Sequence, residues 1–236
     1  MSMETQQQSH SNPQLRGNST HLDTRTLVAL AMLTALAYFV TFLSNFIPLK
    51  VAGFLEFDFK DMVIVIGGFL YGPGAAAMMV VAVSLIQFLT ISSTGVVGLG
   101  MNLLATGSFA CIASLIYWYR PNFKGAVLGL AVGGVSMTAL MLVWNYAITP
   151  AYMDVPRSVV VDMLVPIFLP FNLVKAGLNM GATLSIYPTV QRSLSKANLV
   201  VNPEGNREEN GKKAFLIAVM VLTVFVALAC AIAEFG

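Results

Sequence analysis

The chain has 236 residues, of which 57% are hydrophobic and 10% are charged, and its formal net charge is +2 at pH 7. An ordinary soluble protein has about 25% charged residues, so this composition excludes a soluble globular protein, a disordered protein and a nucleic-acid binder. It indicates a protein whose main solvent is lipid. Both cysteines, Cys111 and Cys230, lie in apolar runs, which argues against redox chemistry.

The first 26 residues are polar and have no apolar core, so they predict a solvated tail and not a cleaved signal peptide. A helix needs about 20 apolar residues to cross a bilayer. Seven apolar segments follow the tail, and the second is too short to span alone: Leu27–Ile47, Met62–Leu70, Ala75–Thr90, Leu99–Tyr119, Ala126–Thr149, Val161–Tyr187 and Ala214–Ala233. The turn signal of residues 71–74 separates the second segment from the third. Pro150 is expected to close the fifth segment, and Pro166 and Pro170 to break the start of the sixth.

These segments predict an all-α integral membrane protein. Its expected organisation is a polar cytoplasmic tail at 1–26, a membrane domain at 27–190, a charged cytoplasmic linker at 191–213 and an additional transmembrane helix at 214–236.

The basic residues predict the orientation. With the N-terminus placed in the cytoplasm, nine of the 13 Lys and Arg fall inside and three outside, with Lys175 in a span. The inside set is Arg16, Arg25, Arg120, Lys124, Arg192, Lys196, Arg207, Lys212 and Lys213, and the outside set is Lys50, Lys60 and Arg157. This bias favours a cytoplasmic N-terminus and seven crossings.

Polar residues gather near the predicted outer side. Between the first two segments, Leu55–Phe59 alternates apolar and polar residues, which predicts a short strand or a lid, although an amphipathic loop at the headgroups gives the same pattern. In the sixth segment Asn172, Lys175 and Asn179 share one helix face because they are three and four residues apart. A Lys in an apolar helix is costly unless it is paired or faces a cavity. Lys175 is therefore expected either to pair with Asp162 or Asp61, or to donate to a ligand in an outward pocket.

Two further features leave alternatives open. Asn145, between Trp144 and Tyr146, would complete such a pocket or would form a hydrogen bond between helices. Ala31 and Ala35 are one turn apart, with Ala29 and Ala37 expected to widen the same smooth face. Small residues let another helix approach closely.

Several chemistries are missing from the sequence. The only histidines, His10 and His21, lie in the tail, and there is no Walker A loop, zinc-protease motif or paired catalytic carboxylate in the spans. We expect no enzyme activity and no cofactor, and any ATP hydrolysis must come from another subunit.

The runs Phe57–Asp61 and Gly67–Pro73 resemble the substrate-binding S components of energy-coupling factor (ECF) transporters. Ile91–Gly95, Met101-Asn102 and Phe171–Lys175 are most similar to the riboflavin-binding members. The resemblance covers about Thr26 to Ser193, and it implies a six-helix vitamin-binding bundle, to which this chain adds a further helix.

The resemblance implies that riboflavin is captured in an outward pocket, capped by the loop after the first helix, and transported with a membrane coupling protein and two ATPases. It implies that Ala31 and Ala35 dock on the coupling protein. An Asn can pair with the imide edge of riboflavin, Lys175 can donate to its carbonyl, and aromatic rings can wall the isoalloxazine. The expected ligand-binding residues are Leu49, Lys50, Phe54, Phe57, Asn145, Phe171, Asn172, Lys175 and Asn179.

The sequence leaves other functions open. An S component for a folate, pyridoxine or thiamine fits the group-level motifs. A standalone secondary transporter would use Lys175 and Asp162 as a proton-coupled pair, and an intramembrane enzyme or scaffold would need no vitamin.

Overall fold

The computed structural model describes residues 24–45, 50–51 and 55–196. The described part is almost entirely helical, which confirms the all-α class. Its helices are α1 (Thr24–Ser44), α2 (Lys60–Tyr71), α3 (Pro73–Thr90), α4 (Gly95–Tyr119), α5 (Phe123–Met153), α6 (Arg157–Met163) and α7 (Leu169–Lys196).

Five helical stretches in the described ranges are long and apolar enough to cross a membrane: Thr24–Ser44, Pro73–Thr90, Gly95–Tyr119, Phe123–Met153 and Arg157–Val190. The last joins α6 to α7 through a π-helical turn, Leu164–Phe168, which contains Pro166. The predicted prolines therefore change the local helix type near Pro166 but do not break the segment, which stays helical from Arg157 to Val190. At 12 residues, or roughly 18 Å, α2 is too short to span alone, as predicted. The expected helix at 214–233 lies outside the described residues.

Three predicted boundaries shift. The first helix already begins at Thr24, and α7 continues to Lys196, so the helical domain extends past residue 190 into the predicted linker. Pro150 does not close the fifth segment as predicted, because α5 runs through it to Met153. A proline lacks only its own N–H, a loss that a helix near its end in a membrane tolerates. The residue after Met153, Asp154, has a left-handed φ of 52° and ends the helix.

The segment between α1 and α2 contains a small hairpin. Strand β1 (Lys50–Val51) pairs antiparallel with β2 (Leu55–Glu56), with Lys50 opposite Glu56 and Val51 opposite Leu55. Of the alternating run Leu55–Phe59, only Leu55–Glu56 is strand, so the strand alternative is confirmed for these two residues alone. Residues 57–59 are not paired in the hairpin and lead directly into α2. Their side chains are buried or half-buried against the helices.

The turn between α2 and α3 forms where the sequence predicted it. Gly72 has a φ of 96°, in the region that favours glycine, and Pro73 begins α3. This tight reversal packs α2 between its neighbours, so that most of its residues are buried on all sides.

Helices α4 and α5 approach each other closely through glycines of α5. A Cβ added to Gly129 would stand 2.6 Å from the carbonyl oxygen of Ala113, and one added to Gly133 would stand 2.7 Å from that of Phe109. These glycines are four residues apart, the spacing that lets two membrane helices touch through their backbones.

The four alanines of α1 do not form one smooth face. Ala31 and Ala35 are exposed, whereas Ala29 and Ala37 are 7% and 0% exposed and face the core. The expectation that Ala29 and Ala37 widen the docking face is wrong, because residues two positions apart on a helix diverge by about 200°.

Replacing Gly129 with Ala should lower the melting temperature of the protein in detergent. The new methyl group meets backbone, which cannot swing away, and overpacking typically costs about 1–3 kcal/mol. Gly107→Ala is the matched control, because its Cβ would meet only Val80 Cγ1 at 3.8 Å. Equal melting temperatures for the two variants would contradict the close packing of α4 on α5.

Candidate ligand-binding site

A cleft of about 90 Å³ opens at the end of the bundle where α2 and α4 begin. We call it the outer cleft, after the side that the basic residues predict for this end. Its walls come from the residue after α1, the segment before α2, α3, the loop between α3 and α4, α4, α5 and α7. They consist of Asn45, Asp58, Gln87, Ile91, Ser92, Ser93, Thr94, Val97, Gly98, Met101, Asn102, Trp144, Thr149, Tyr152 and Lys175.

Asp58 is the centre of the polar wall. Its Oδ2 atom accepts hydrogen bonds from Lys60 Nζ at 3.0 Å and from Lys175 Nζ at 3.2 Å. The side chains of Lys60 and Lys175 are 0% and 9% exposed, and that of Asp58 is 11% exposed. One carboxylate oxygen therefore serves two buried ammonium groups. The expected partners of Lys175, Asp61 or Asp162, are wrong, because the side chain reaches Asp58.

A chain of amides extends this wall toward α3. Lys60 Nζ also donates to Asn102 Oδ1 at 3.0 Å, and Asn102 Nδ2 donates to Gln87 Oε1 at 3.3 Å. Lys60, Asn102 and Gln87 thus connect α2, α4 and α3, and Asp58 links Lys60 to Lys175 on α7. Because each bond fixes the next side chain, the wall is a single network and not a set of separate polar residues.

A second set of bonds fixes the backbone beneath the cleft. Asn179 Nδ2 donates to the carbonyls of Asp58 and Lys175, and its Oδ1 accepts from the Met62 N–H. Asn179 thus holds the segment before α2 against α7. Its place is beneath the outer cleft, where it caps the start of α2.

Four other predicted ligand residues are not among the residues that line the cleft: Asn145, Asn172, Phe57 and Phe171. Asn172 Nδ2 donates to the Phe168 carbonyl within its own helix. Asn145 donates to the Met141 carbonyl and accepts from the hydroxyl of Thr149, a cleft residue.

The rings of Phe57 and Phe171 pack on each other with centroids 4.7 Å apart, and both are at least 95% buried. Their direct contact with a ligand remains a prediction. Leu49 and Phe54 lie outside the described residues, and of Lys50 the structure describes only its backbone in β1.

The structure adds cleft residues that the sequence pattern did not single out as binding residues. Asp58 and Asn102 both lie inside the runs that carried the family resemblance, yet a motif does not say which of its members face a cavity. Gln87 is the only amide in the apolar sequence of α3. A single polar side chain in an apolar membrane helix indicates a functional residue, and this signal would have identified Gln87 from the sequence. Trp144 forms a wall because Gly100 leaves room for its indole, 2.6 Å from where a Cβ would lie.

The electrostatics of the cleft follow from the shared carboxylate. Burial disfavours ionisation of Asp58, but the ammonium groups of Lys175 and Lys60 outweigh it and lower the pKa from 3.8 to about 2. A carboxylate with a depressed pKa contributes stability above its unfolded-state pKa, and that stability is lost as the pH falls through the folded-state value.

The melting temperature in detergent should therefore not change through Asp58 between pH 8 and pH 5, and it should fall as the pH drops from about 4 toward about 2. Asp162→Asn, which changes an exposed carboxylate, should keep this acid-side decline. Asp58→Asn should reduce the decline while lowering stability at neutral pH, since two ammonium groups lose their counter-ion. An unchanged acid-side profile in Asp58→Asn would contradict the shared ion pair.

A solved structure titled "Structure and mechanism of the S component of a bacterial ECF transporter" aligns with a TM-score of 0.59 at 26% identity, covering 74% of this chain and 97% of that chain. The riboflavin transporter RibU of Staphylococcus aureus (strain TCH60) is 29% identical over 158 residues, covering 64% of this chain and 82% of the relative.

Two further relatives carry similar names. The riboflavin transporter FmnP of Bacillus subtilis (strain 168) is 29% identical over 160 residues, covering 64% of this chain and 84% of the relative. A RibU of Streptococcus thermophilus (strain ATCC BAA-250 / LMG 18311) is 27% identical over 186 residues, covering 74% and 86%. Residues 25–187 match the model of the family "ECF transporter, substrate-specific component". The chain is therefore a multi-pass membrane protein that belongs to the substrate-specific (S) components of ECF transporters.

Proposed function

We propose that this S component binds riboflavin in the outer cleft and delivers it to the cytoplasm through a coupling protein and two ATPases. The observation that carries the proposal is the position of Lys175, whose ammonium group lines the cleft beside Asp58. The names of the relatives support riboflavin as the vitamin. The positive-inside count supports a cytoplasmic N-terminus and an outward-facing cleft.

The chemistry of the cleft suits riboflavin. Lys175 supplies a donor for a ring carbonyl, and Trp144 supplies an apolar wall of ring size. Serine and threonine hydroxyls from residues 92–94 suit the ribityl chain. A small-molecule site usually has about 300–1,000 Å³, so the cleft of about 90 Å³ must widen to admit the ligand.

Two alternative functions can be distinguished from riboflavin binding: proton-coupled transport and the binding of another vitamin. A proton-coupled transporter built on Lys175 and Asp162 is disfavoured, since Lys175 pairs with Asp58 and Asp162 is exposed. Another vitamin, such as a folate, pyridoxine or thiamine, stays possible within the family. Titration of the purified protein with riboflavin, followed by flavin fluorescence, separates these: a protein that leaves the flavin unquenched but binds another vitamin refutes the riboflavin assignment.

Lys175→Met should weaken riboflavin binding by about 1.5–3 kcal/mol, or roughly 10- to 150-fold, the size of a charge-assisted hydrogen bond. The fold should persist, because Asp58 keeps its bond to Lys60.

Lys60→Met is the matched control. It removes an ammonium group from the same oxygen, but Lys60 is 0% exposed and is not among the cleft-lining residues. Its affinity should fall by less than that of Lys175→Met, because Lys60 acts on the ligand only through Asp58 and Asn102. Equal losses in the two variants would mean that charge balance, and not contact by Lys175, sets the affinity.

The docking proposal rests on α1. Ala31 and Ala35 are exposed in the described structure, so a larger side chain there need not disturb the core. Ala31→Trp or Ala35→Trp should leave riboflavin affinity nearly unchanged but weaken co-purification with the coupling protein and ATPases, because bulk blocks close helix approach.

Val135→Trp, on the exposed side of α5, is the control and should affect neither property. Loss of riboflavin affinity together with loss of assembly in the α1 variants would count against a docking face.

A further inference from the structure

The two oxygens of the Asp58 carboxylate differ in their contacts within the described residues. Oδ2 carries both ammonium groups, whereas Oδ1 is buried and accepts no hydrogen bond within the part of the chain that the structure describes. Buried carboxylate oxygens normally have donors, because burial removes their water without replacing it. Asp58 also lines the outer cleft, so this unsatisfied acceptor belongs to a residue that a ligand would meet.

The neighbourhood of Oδ1 narrows the kind of donor it can take. Lys175 Nζ is 3.2 Å from the other oxygen of the same carboxylate, so the wall places a fixed cationic donor beside a fixed acceptor. A planar imide has the complementary arrangement, an N–H flanked by a carbonyl oxygen. A hydroxyl can also donate to Oδ1 and accept from Lys175, but through one freely rotating atom, whereas the imide presents its donor and acceptor as two atoms held in one plane.

We infer that Asp58 Oδ1 accepts a hydrogen bond from the imide N–H of the flavin ring, while Lys175 donates to the adjacent carbonyl. The inference rests on the proposed riboflavin function and assigns Asp58 a direct part in recognition. Asp58 then distinguishes a ligand edge that carries an N–H from one that is alkylated.

The test is a cycle of two ligands and two proteins. In wild type, 3-methylriboflavin should bind at least about tenfold more weakly than riboflavin, because it cannot donate to Oδ1. In Asp58→Asn, the amide oxygen should turn toward the two ammonium groups and the NH₂ toward the cleft. The ratio of the two affinities should then fall to within about threefold of unity. Lumiflavin, which keeps the imide and lacks the ribityl chain, should lose the same factor in both proteins.

The isolated change at Asp58 removes the counter-ion of two buried cations, so folding needs its own control. Comparing Lys60→Met with the double variant Lys60→Met/Asp58→Asn reduces this problem, since the double variant keeps the net charge of the original cluster and leaves only Lys175 without its counter-ion. The same collapse of the ratio is expected there.

A methylation penalty that persists in the Asp58→Asn proteins would overturn the inference, as would a lumiflavin factor that changes with Asp58. Failure of wild type to bind riboflavin at all would instead overturn the proposed function, so the two failures are distinguishable.

Discussion

The site depends on one carboxylate oxygen that two buried ammonium groups share. Lys60 and Lys175 are far apart in the sequence, and Asp58 is the shared counter-ion of both buried ammonium groups. Because the three groups join the start of α2 to the second turn of α7, the ion cluster also fixes how these helices meet. The polar cleft and the helix packing are therefore parts of one arrangement.

The fold places this cluster through an irregular segment and a short helix. The hairpin β1–β2 ends at Glu56, and residues 57–59 turn down into the bundle before α2 begins. Asn179 holds that segment through two carbonyls and an N–H. On the other side, the glycines of α5 let α4 approach closely, and Gly100 leaves room for Trp144 at the cleft. Small residues thus shape the apolar wall while the carboxylate shapes the polar one.

The sequence predicted the helices well because apolar length is a strong signal in a membrane protein, and it predicted that Lys175 needs either a partner or a cavity. The structure supplies both, a result that neither alternative anticipated. The sequence did not indicate that Asp58 would be the partner of Lys175, because local spacing does not show which residues of a loop fold inward. For the same reason the side chains of Asn172 and Asn145 were expected in a pocket, whereas they bond within their own helices. The helix that continues through Pro150 shows that a breaker in the sequence need not end a helix in lipid.

The central claim is that the outer cleft is where this S component holds riboflavin. A structure of the protein with riboflavin bound tests it most directly. The account predicts density for the isoalloxazine between Trp144 and the Asp58–Lys175 pair, with the cleft wider than in the form described and the imide edge against the pair. Flavin density elsewhere in the bundle, with Asp58 and Lys175 unchanged and the cleft closed, would contradict it.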